Sequence, residues 1–221
     1  MALALFDLDN TLLAGDSDYL WGRFLVELGV VDGDEYEARN QAFYDQYRAG
    51  RLDIQAFLAF SLAPLAQYPR ARLEAWRARF LAQCIAPLIL PAGRERVAAH
   101  RARGDVCVIV TATNRFVTAP IAERIGVDAL LATELEEVGG RFTGRPAGTP
   151  CFREGKVQRL EAWLAQAGLG WADSTFYSDS HNDLPLLERV AHPVAVDPDQ
   201  ALRRIAGERG WPVISLRSAE G

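Results

Sequence analysis

A block of about seventy residues, Asp16 to about Pro87, shows helical periodicity only, and it interrupts a chain that otherwise alternates strand-like and helix-like segments. Such alternation predicts a parallel sheet with crossover helices, because each crossover helix returns the chain to the same edge. The buried-strand candidates are Leu3–Phe6, Val106–Val110, Ala129–Leu131, Thr175–Tyr177 and Val194–Val196, with Val213–Leu216 as a sixth. Inside the block the helical patterns fall at 17–29, 34–49, 53–63 and 70–84. The expected fold class is therefore α/β: a Rossmann-like parallel sheet with helices on both faces, plus a small all-helical cap inserted after strand one. The core unit spans 1–15 and 88–221, and the cap spans 16–87. A hairpin over Thr133–Thr143, turning at Gly139-Gly140, is expected after the third strand. Two helix starts are signposted. Asp197-Pro198 reads as an N-cap with proline at the first helical position, and Ser180 to Asp183 reads as a capping box.

Composition narrows the function classes. With 221 residues and 49% hydrophobic content the chain can bury a core of its own, and its net charge of −5 argues against nucleic-acid binding by charge. The longest uncharged stretch, 54–69, is shorter than a spanning helix requires and is broken by polar residues and proline. No zinc-type spacing links Cys84, Cys107 and Cys151, and an odd, scattered set does not form a disulfide framework. A soluble, cytoplasmic protein without membrane or nucleic-acid partners is the expectation; the sequence does not fix the oligomeric state.

In open α/β sheets ligands bind beyond the carboxyl ends of the strands. The strand exits here read Asp7-Leu8-Asp9-Asn10-Thr11, then Thr111-Ala112-Thr113-Asn114, then Ser178 to Asp183, and Lys156 begins the helix before the last of these. Lys156 is the sole lysine in a chain that writes arginine everywhere else, which marks a place where a compact ammonium suits better than a planar guanidinium. Four converging carboxylates call for a divalent cation, and an oxygen-only set suits Mg²⁺. A hydroxyl and an ammonium suit a phosphoryl group, and a carboxylate can serve as nucleophile. Each residue also has a bland reading. Asp9-Asn10 is good turn chemistry, Asp183 could be the acid of the capping box, Thr111 could be strand-end packing, and Lys156 a solvated helix residue. His181 reads as a loop filler and Cys151 as structural.

Asp7-Leu8-Asp9-Asn10-Thr11, Thr111, Lys156 and Asp179 to Asp183 resemble the four motifs of the haloacid dehalogenase-like phosphatases, and the helical insert resembles the cap of the phosphoserine-phosphatase-like branch. The resemblance implies that Asp7 is the nucleophile and Asp9 the general acid and base. It implies that Mg²⁺ is held by Asp7, the backbone carbonyl of Asp9 and Asp179, with Asp183 as ligand or support. Thr111, Ala112 and Lys156 would bind the phosphoryl oxygens, Ala112 standing where the family usually has glycine. Asp16 matches the position that holds a substrate amine, and Asn182 is a further substrate contact. Aligned on the Gly50-Arg51-Leu52 turn, Ser61 takes the place of the arginine that clamps a substrate carboxylate.

An amine-bearing phosphate without a carboxylate fits that pattern. Histidinol phosphate is the leading expectation, with phosphoserine or another small phosphorylated metabolite as alternatives. Trp21, Phe24, Tyr44, Tyr47 and Phe57 are aromatics that could face an imidazole, although core packing is the commoner role for such residues. A receiver-like protein, a catalytically silent binder, or transfer to a second hydroxyl are the other readings.

Overall fold

The computed structural model describes residues 2–217; Met1 and 218–221, which the sequence reading counted with the core unit, lie outside them. Seven strands form one sheet in the order β4-β3-β2-β1-β5-β6-β7. They are β1 (Leu3–Phe6), β2 (Val106–Asn114), β3 (Ala129–Val138), β4 (Arg141–Ala147), β5 (Ser174–Ser178), β6 (His192–Val196) and β7 (Val213–Ile214). All neighbours pair in parallel except β3 and β4, the expected hairpin.

Alternation along β1 explains the layering, since successive side chains of a strand point to opposite faces. Leu3 and Leu5 enter one apolar cluster with Val108, Val110 and Phe176; Ala4 and Phe6 enter the other with Cys107 and Ile109. Helices α6 (Pro91–Ala102) and α7 (Arg115–Ile125) cover the second face, and α8 (Glu154–Ala167), α9 (Leu184–Leu187) and α10 (Gln200–Arg209) the first.

Between β1 and β2 the chain is helical, as α1 (Ser17–Glu27), α2 (Gly33–Arg48), α3 (Ile54–Ser61), α4 (Ala63–Gln67) and α5 (Arg70–Phe80), followed by a π turn and a 3₁₀ turn. Asp16, Asp32 and Asp53 cap α1, α2 and α3 with their side chains. The chain leaves and re-enters the sheet on adjacent strands. Leu13 bridges Ile89, and Ala14 N–H donates to Leu88 O. Trp21 and Phe24 are buried against Phe80 and belong to the core cluster, so these two aromatics pack rather than face a ligand. Helix α4 packs on β4, which makes the hairpin a neighbour of the helical block.

Two helix starts differ from expectation. Helix α10 is capped by Asp199, which accepts from Leu202 N–H, while Asp197 sits at φ 42° and accepts from Leu216 N–H. Pro198 therefore precedes the cap instead of opening the helix. At Ser180 the hydroxyl accepts from Asn182 N–H, but Asp183 does not reach back to complete a capping box; its carboxylate is used elsewhere, as described below. Strand β2 also runs on through Asn114, past the expected exit at Val110. No helix among the described residues is long and apolar enough to cross a membrane.

Candidate active site

The central strand β1 lies between β2 and β5, so the carboxyl ends of all three converge. Asp7 N–H continues the pairing by donating to Tyr177 O, and the chain then turns sharply at Asn10, whose φ of 59° is a conformation that asparagine tolerates. That pairing at the end of β1 leaves Asp7 beside Lys156. The Lys156 ammonium stands 2.7 Å from Asp7 Oδ1 and 2.8 Å from Asp183 Oδ2, and Ser178 donates to the same Asp183 oxygen at 2.7 Å. All three charged groups are buried.

Lys156 reaches this point because α8 starts abruptly. A Cβ at Gly155 would lie 2.0 Å from Pro150 O, so only glycine permits that approach. Burial alone would favour the neutral amine, but Asp183 and Asp7 override it and hold Lys156 protonated above its usual value. Burial pushes Asp7 up to about 7, with Lys156 opposing and Asp183 and Asp9 adding to the rise.

Asp9 is oriented by three neighbours. Ser17 N–H donates to Oδ1 at 2.6 Å and the Thr113 hydroxyl donates to Oδ2 at 2.8 Å, while Thr111 Oγ lies 3.5 Å from Oδ2. Its carboxyl is raised to about 6, chiefly by burial and then by Asp16, against the hydrogen bonds from Ser17 and Thr113. Thr113 is absent from the sequence-based set. The signal that could have found it is alternation, since two residues along a strand share a face, and β2 extends far enough to place Thr113 with Thr111. The ladder between β2 and β3 is irregular between Val110 and Asn114, which sets Thr111, Ala112 and Thr113 apart from regular pairing. Ala112 lines the cavity, and its carbonyl accepts from the Thr133 hydroxyl.

Asp179 exchanges two hydrogen bonds with Thr11: its Oδ1 accepts from the hydroxyl, and its N–H donates to it, both at 3.1 Å. Burial, then the charges of Asp7 and Asp183, raises it well above the usual carboxylate range. Among the described residues no three His, Cys, Asp or Glu side chains are arranged to hold a metal ion by themselves. A hard divalent cation such as Mg²⁺ takes one or two carboxylates and completes its shell with carbonyl, water and phosphate oxygens. Burial first, and neighbouring carboxylates after it, raise Asp7 and Asp179, and a bound divalent cation would offset both causes. Asp183 is held by Lys156, whose ammonium lies 2.7 Å from Oδ1 and 2.8 Å from Oδ2, and by the Ser178 hydroxyl.

A cavity opens over Asp7 and Asp9, bounded by Asp16 and Asp18 of the α1 start and by Tyr44, Tyr47 and Phe57. None of its lining residues is lysine or arginine among the described residues. Asp16 combines roles, since its Oδ1 caps α1 by accepting from Asp18 N–H and Tyr19 N–H while the residue faces the cavity.

Two expected contacts fall elsewhere. Ser61 is buried without a hydrogen-bond partner and does not line the cavity; Ile54 and Phe57 of α3 do, and Ser61 lies four residues, roughly 6 Å of helix, beyond Phe57. Asn182 accepts from Arg153 at Oδ1 and donates to Tyr47 O at 2.9 Å, so it fastens the helical block to the sheet unit and does not point into the cavity. His181 is engaged by Asp199, and Cys151 is buried with its thiol raised to about 12 by burial.

The sequence profile of the haloacid dehalogenase-like hydrolases matches residues 4–188. The chain belongs to that family. It is 45% identical over 219 residues to a histidinol-phosphatase of Neisseria meningitidis serogroup C, covering 97% of this chain and 99% of that one. It is 33% identical to a phosphoserine phosphatase of Mycobacterium tuberculosis, over 99% of this chain and 72% of that one. Among solved structures, a Bordetella pertussis Tohama I protein of unknown function superposes with a TM-score of 0.92 at 48% identity, over 98% of this chain and 99% of that chain. A substrate-bound phosphoserine phosphatase shares the fold at a TM-score of 0.72 and 19% identity, over 98% of this chain and 93% of that chain.

Proposed function

We propose that this phosphatase is a Mg²⁺-dependent phosphomonoesterase that works through an aspartyl-phosphate on Asp7, with histidinol phosphate as its substrate. The observation that carries the reaction is the buried Asp7–Lys156–Asp183 row beside an Asp9 raised to about 6. Asp7, Asp179 and the Asp9 carbonyl would hold the cation, which supplies charge neutralisation to the phosphoryl group.

Lys156 fixes Asp7 Oδ1, leaving the other carboxylate oxygen to attack phosphorus. As the ester P–O bond breaks, Asp9 gives its proton to the leaving alkoxide. The resulting Asp9 carboxylate then takes a proton from the water that attacks the phosphoenzyme, the bond from phosphorus to Asp7 breaks, and phosphate leaves. A carboxyl poised near 6 can serve both half-reactions close to neutrality. Thr111 and Lys156 are the phosphate-side donors, and the helical block acts as the cap that encloses the substrate.

The substrate assignment rests on the cavity. Carboxylates and aromatic rings without a basic side chain favour a cationic phosphoester and disfavour one carrying a carboxylate. The 45% identity to a histidinol-phosphatase supports the same choice. The test is phosphate release from histidinol phosphate, phosphoserine, sugar phosphates and nucleotides, with and without Mg²⁺. Preference for histidinol phosphate and loss of release under chelation are expected. Preference for phosphoserine would overturn the substrate, and undiminished release under chelation would overturn the metal.

A further inference from the structure

Asp18 lines the same cavity as Asp7, Asp9 and Asp16, yet the reaction gives it nothing to do. It sits in the first turn of α1 with 9% of its surface exposed, and its Oδ1 is buried without a hydrogen-bond partner. A buried acceptor left without a donor is destabilising, so native structures rarely keep one idle. Its surroundings do not satisfy it. Asn40, which also lines the cavity, donates from Nδ2 to Tyr19 O, and the Arg39 guanidinium lies 4.8 Å over the Phe60 ring. Among the described residues no basic side chain pairs with Asp18. Burial, then the charges of Asp16 and Asp9, raises its carboxyl well above the usual range. The cavity wall beside it is aromatic and apolar, with Phe43, Tyr44, Ile54 and Phe57.

An unpaired carboxylate in an aromatic slot is complementary to a flat ring that carries an N–H donor. We propose that Asp18 determines specificity by accepting a hydrogen bond from the imidazole N–H of the substrate, while Asp16 faces the ammonium nearer the ester. This assignment rests on the phosphatase reading above and deepens it. The reacting end would be common to many phosphoesters, and the ring would be read only by Asp18.

The test compares histidinol phosphate with phenylalaninol phosphate, which keeps the amine and an aromatic ring but has no ring N–H. Wild type, Asp18→Asn and Asp18→Ala are measured for kcat/KM on both. The ratio of histidinol phosphate to phenylalaninol phosphate should fall about 10- to 100-fold in Asp18→Ala, as expected when a buried ring N–H loses its acceptor, and by less in Asp18→Asn, which keeps an acceptor. Thermal midpoints without substrate should hold or rise, since a buried acceptor without a donor has been removed.

An unchanged ratio, or equal losses on both substrates with a lowered midpoint, would make Asp18 structural and overturn the proposal. Wild-type preference for phenylalaninol phosphate would overturn it too, while leaving the phosphomonoesterase reading intact. If wild type hydrolyses no phosphoester, that reading fails by itself, and calorimetric binding of histidinol phosphate to wild type and Asp18→Asn still decides: weaker binding by the variant supports the proposal, and equal binding overturns it.

Discussion

The Thr113 hydroxyl donates to Asp9 Oδ2 at 2.8 Å, joining the exits of two neighbouring strands, β2 and β1. With Ser17 N–H on the other oxygen, it holds the carboxyl in one orientation and opposes the rise of its pKa. Thr113→Val removes the donor with little change of shape. The water-activating half-reaction, which needs ionised Asp9, should slow by roughly 10-fold or more, the size of a hydrogen bond to a charged group. Thr113→Ser should restore it. Single-turnover kinetics would show phosphoenzyme accumulating in the valine variant; equal decay in all three proteins would relieve Thr113 of this positioning role.

Lys156 pairs with two buried carboxyl groups at once, with 2% of its own side chain exposed. Lys156→Met strands Asp7 and Asp183 without a counter-charge, and breaking a buried pair in this way costs about 3–5 kcal/mol. Adding Asp183→Asn should recover part of that loss without restoring turnover. Urea unfolding of the two single variants and the double variant measures the coupling. Strict additivity would mean that Lys156 and Asp183 do not stabilise each other.

Much of this site is legible in the sequence because strand ends place it. Asp7, Asp9, Thr111 and Asp179 each follow an apolar run, so finding the strands finds the residues. Lys156 stood out through being the sole lysine, although its burial depends on the Pro150–Gly155 approach, which periodicity does not reveal. Thr113 is not legible in the same way because the apolar run that marks β2 ends at Val110, while the strand itself continues to Asn114. Ser61 and Asn182 were misplaced for other reasons. Ser61 rests on correspondence across the helical block, where a small difference in helix length or packing moves a side chain out of the cavity; Asn182 follows the last strand exit, but its amide is taken up by Arg153 and Tyr47 O. The capping residue of α10 shifted from Asp197 to Asp199 because either aspartate satisfies the local rule, and tertiary pairing with Leu216 claimed the first.

The buried acids also fix how stability responds to pH and metal. Asp7 and Asp9 are raised to about 7 and about 6 from an ordinary value of 3.8, and Asp179 is raised as well. A carboxyl with a raised folded-state pKa binds more protons folded than unfolded, so its contribution to stability falls as pH rises through roughly 4 to 7. Metal binding must displace those protons at low pH and finds the site ionised at high pH. Mg²⁺ should therefore raise the melting midpoint more at pH 8 than at pH 5.5. The measurement is thermal unfolding at both values with Mg²⁺ or chelator. A larger metal effect at pH 5.5 would contradict the assigned direction, and Asp179→Asn should abolish most of the effect.

Asp16 allows its two roles to be separated by the choice of replacement. Its Oδ1 caps α1 through Asp18 N–H at 3.0 Å and Tyr19 N–H at 2.8 Å, and the residue faces the cavity that holds Asp7. Asparagine is as good an N-cap as aspartate, whereas alanine loses about 1 kcal/mol of helix stability. Asp16→Asn should therefore keep the melting midpoint while removing the negative charge offered to the substrate amine. The ratio of kcat/KM for histidinol phosphate over p-nitrophenyl phosphate, which has no amine, should fall roughly 10-fold or more, the scale of one charge-assisted contact. Asp16→Ala should show that same fall together with a lower midpoint. If the asparagine variant keeps the wild-type ratio and only the alanine variant is impaired, Asp16 acts as a helix cap alone, and the amine is held by another cavity carboxylate.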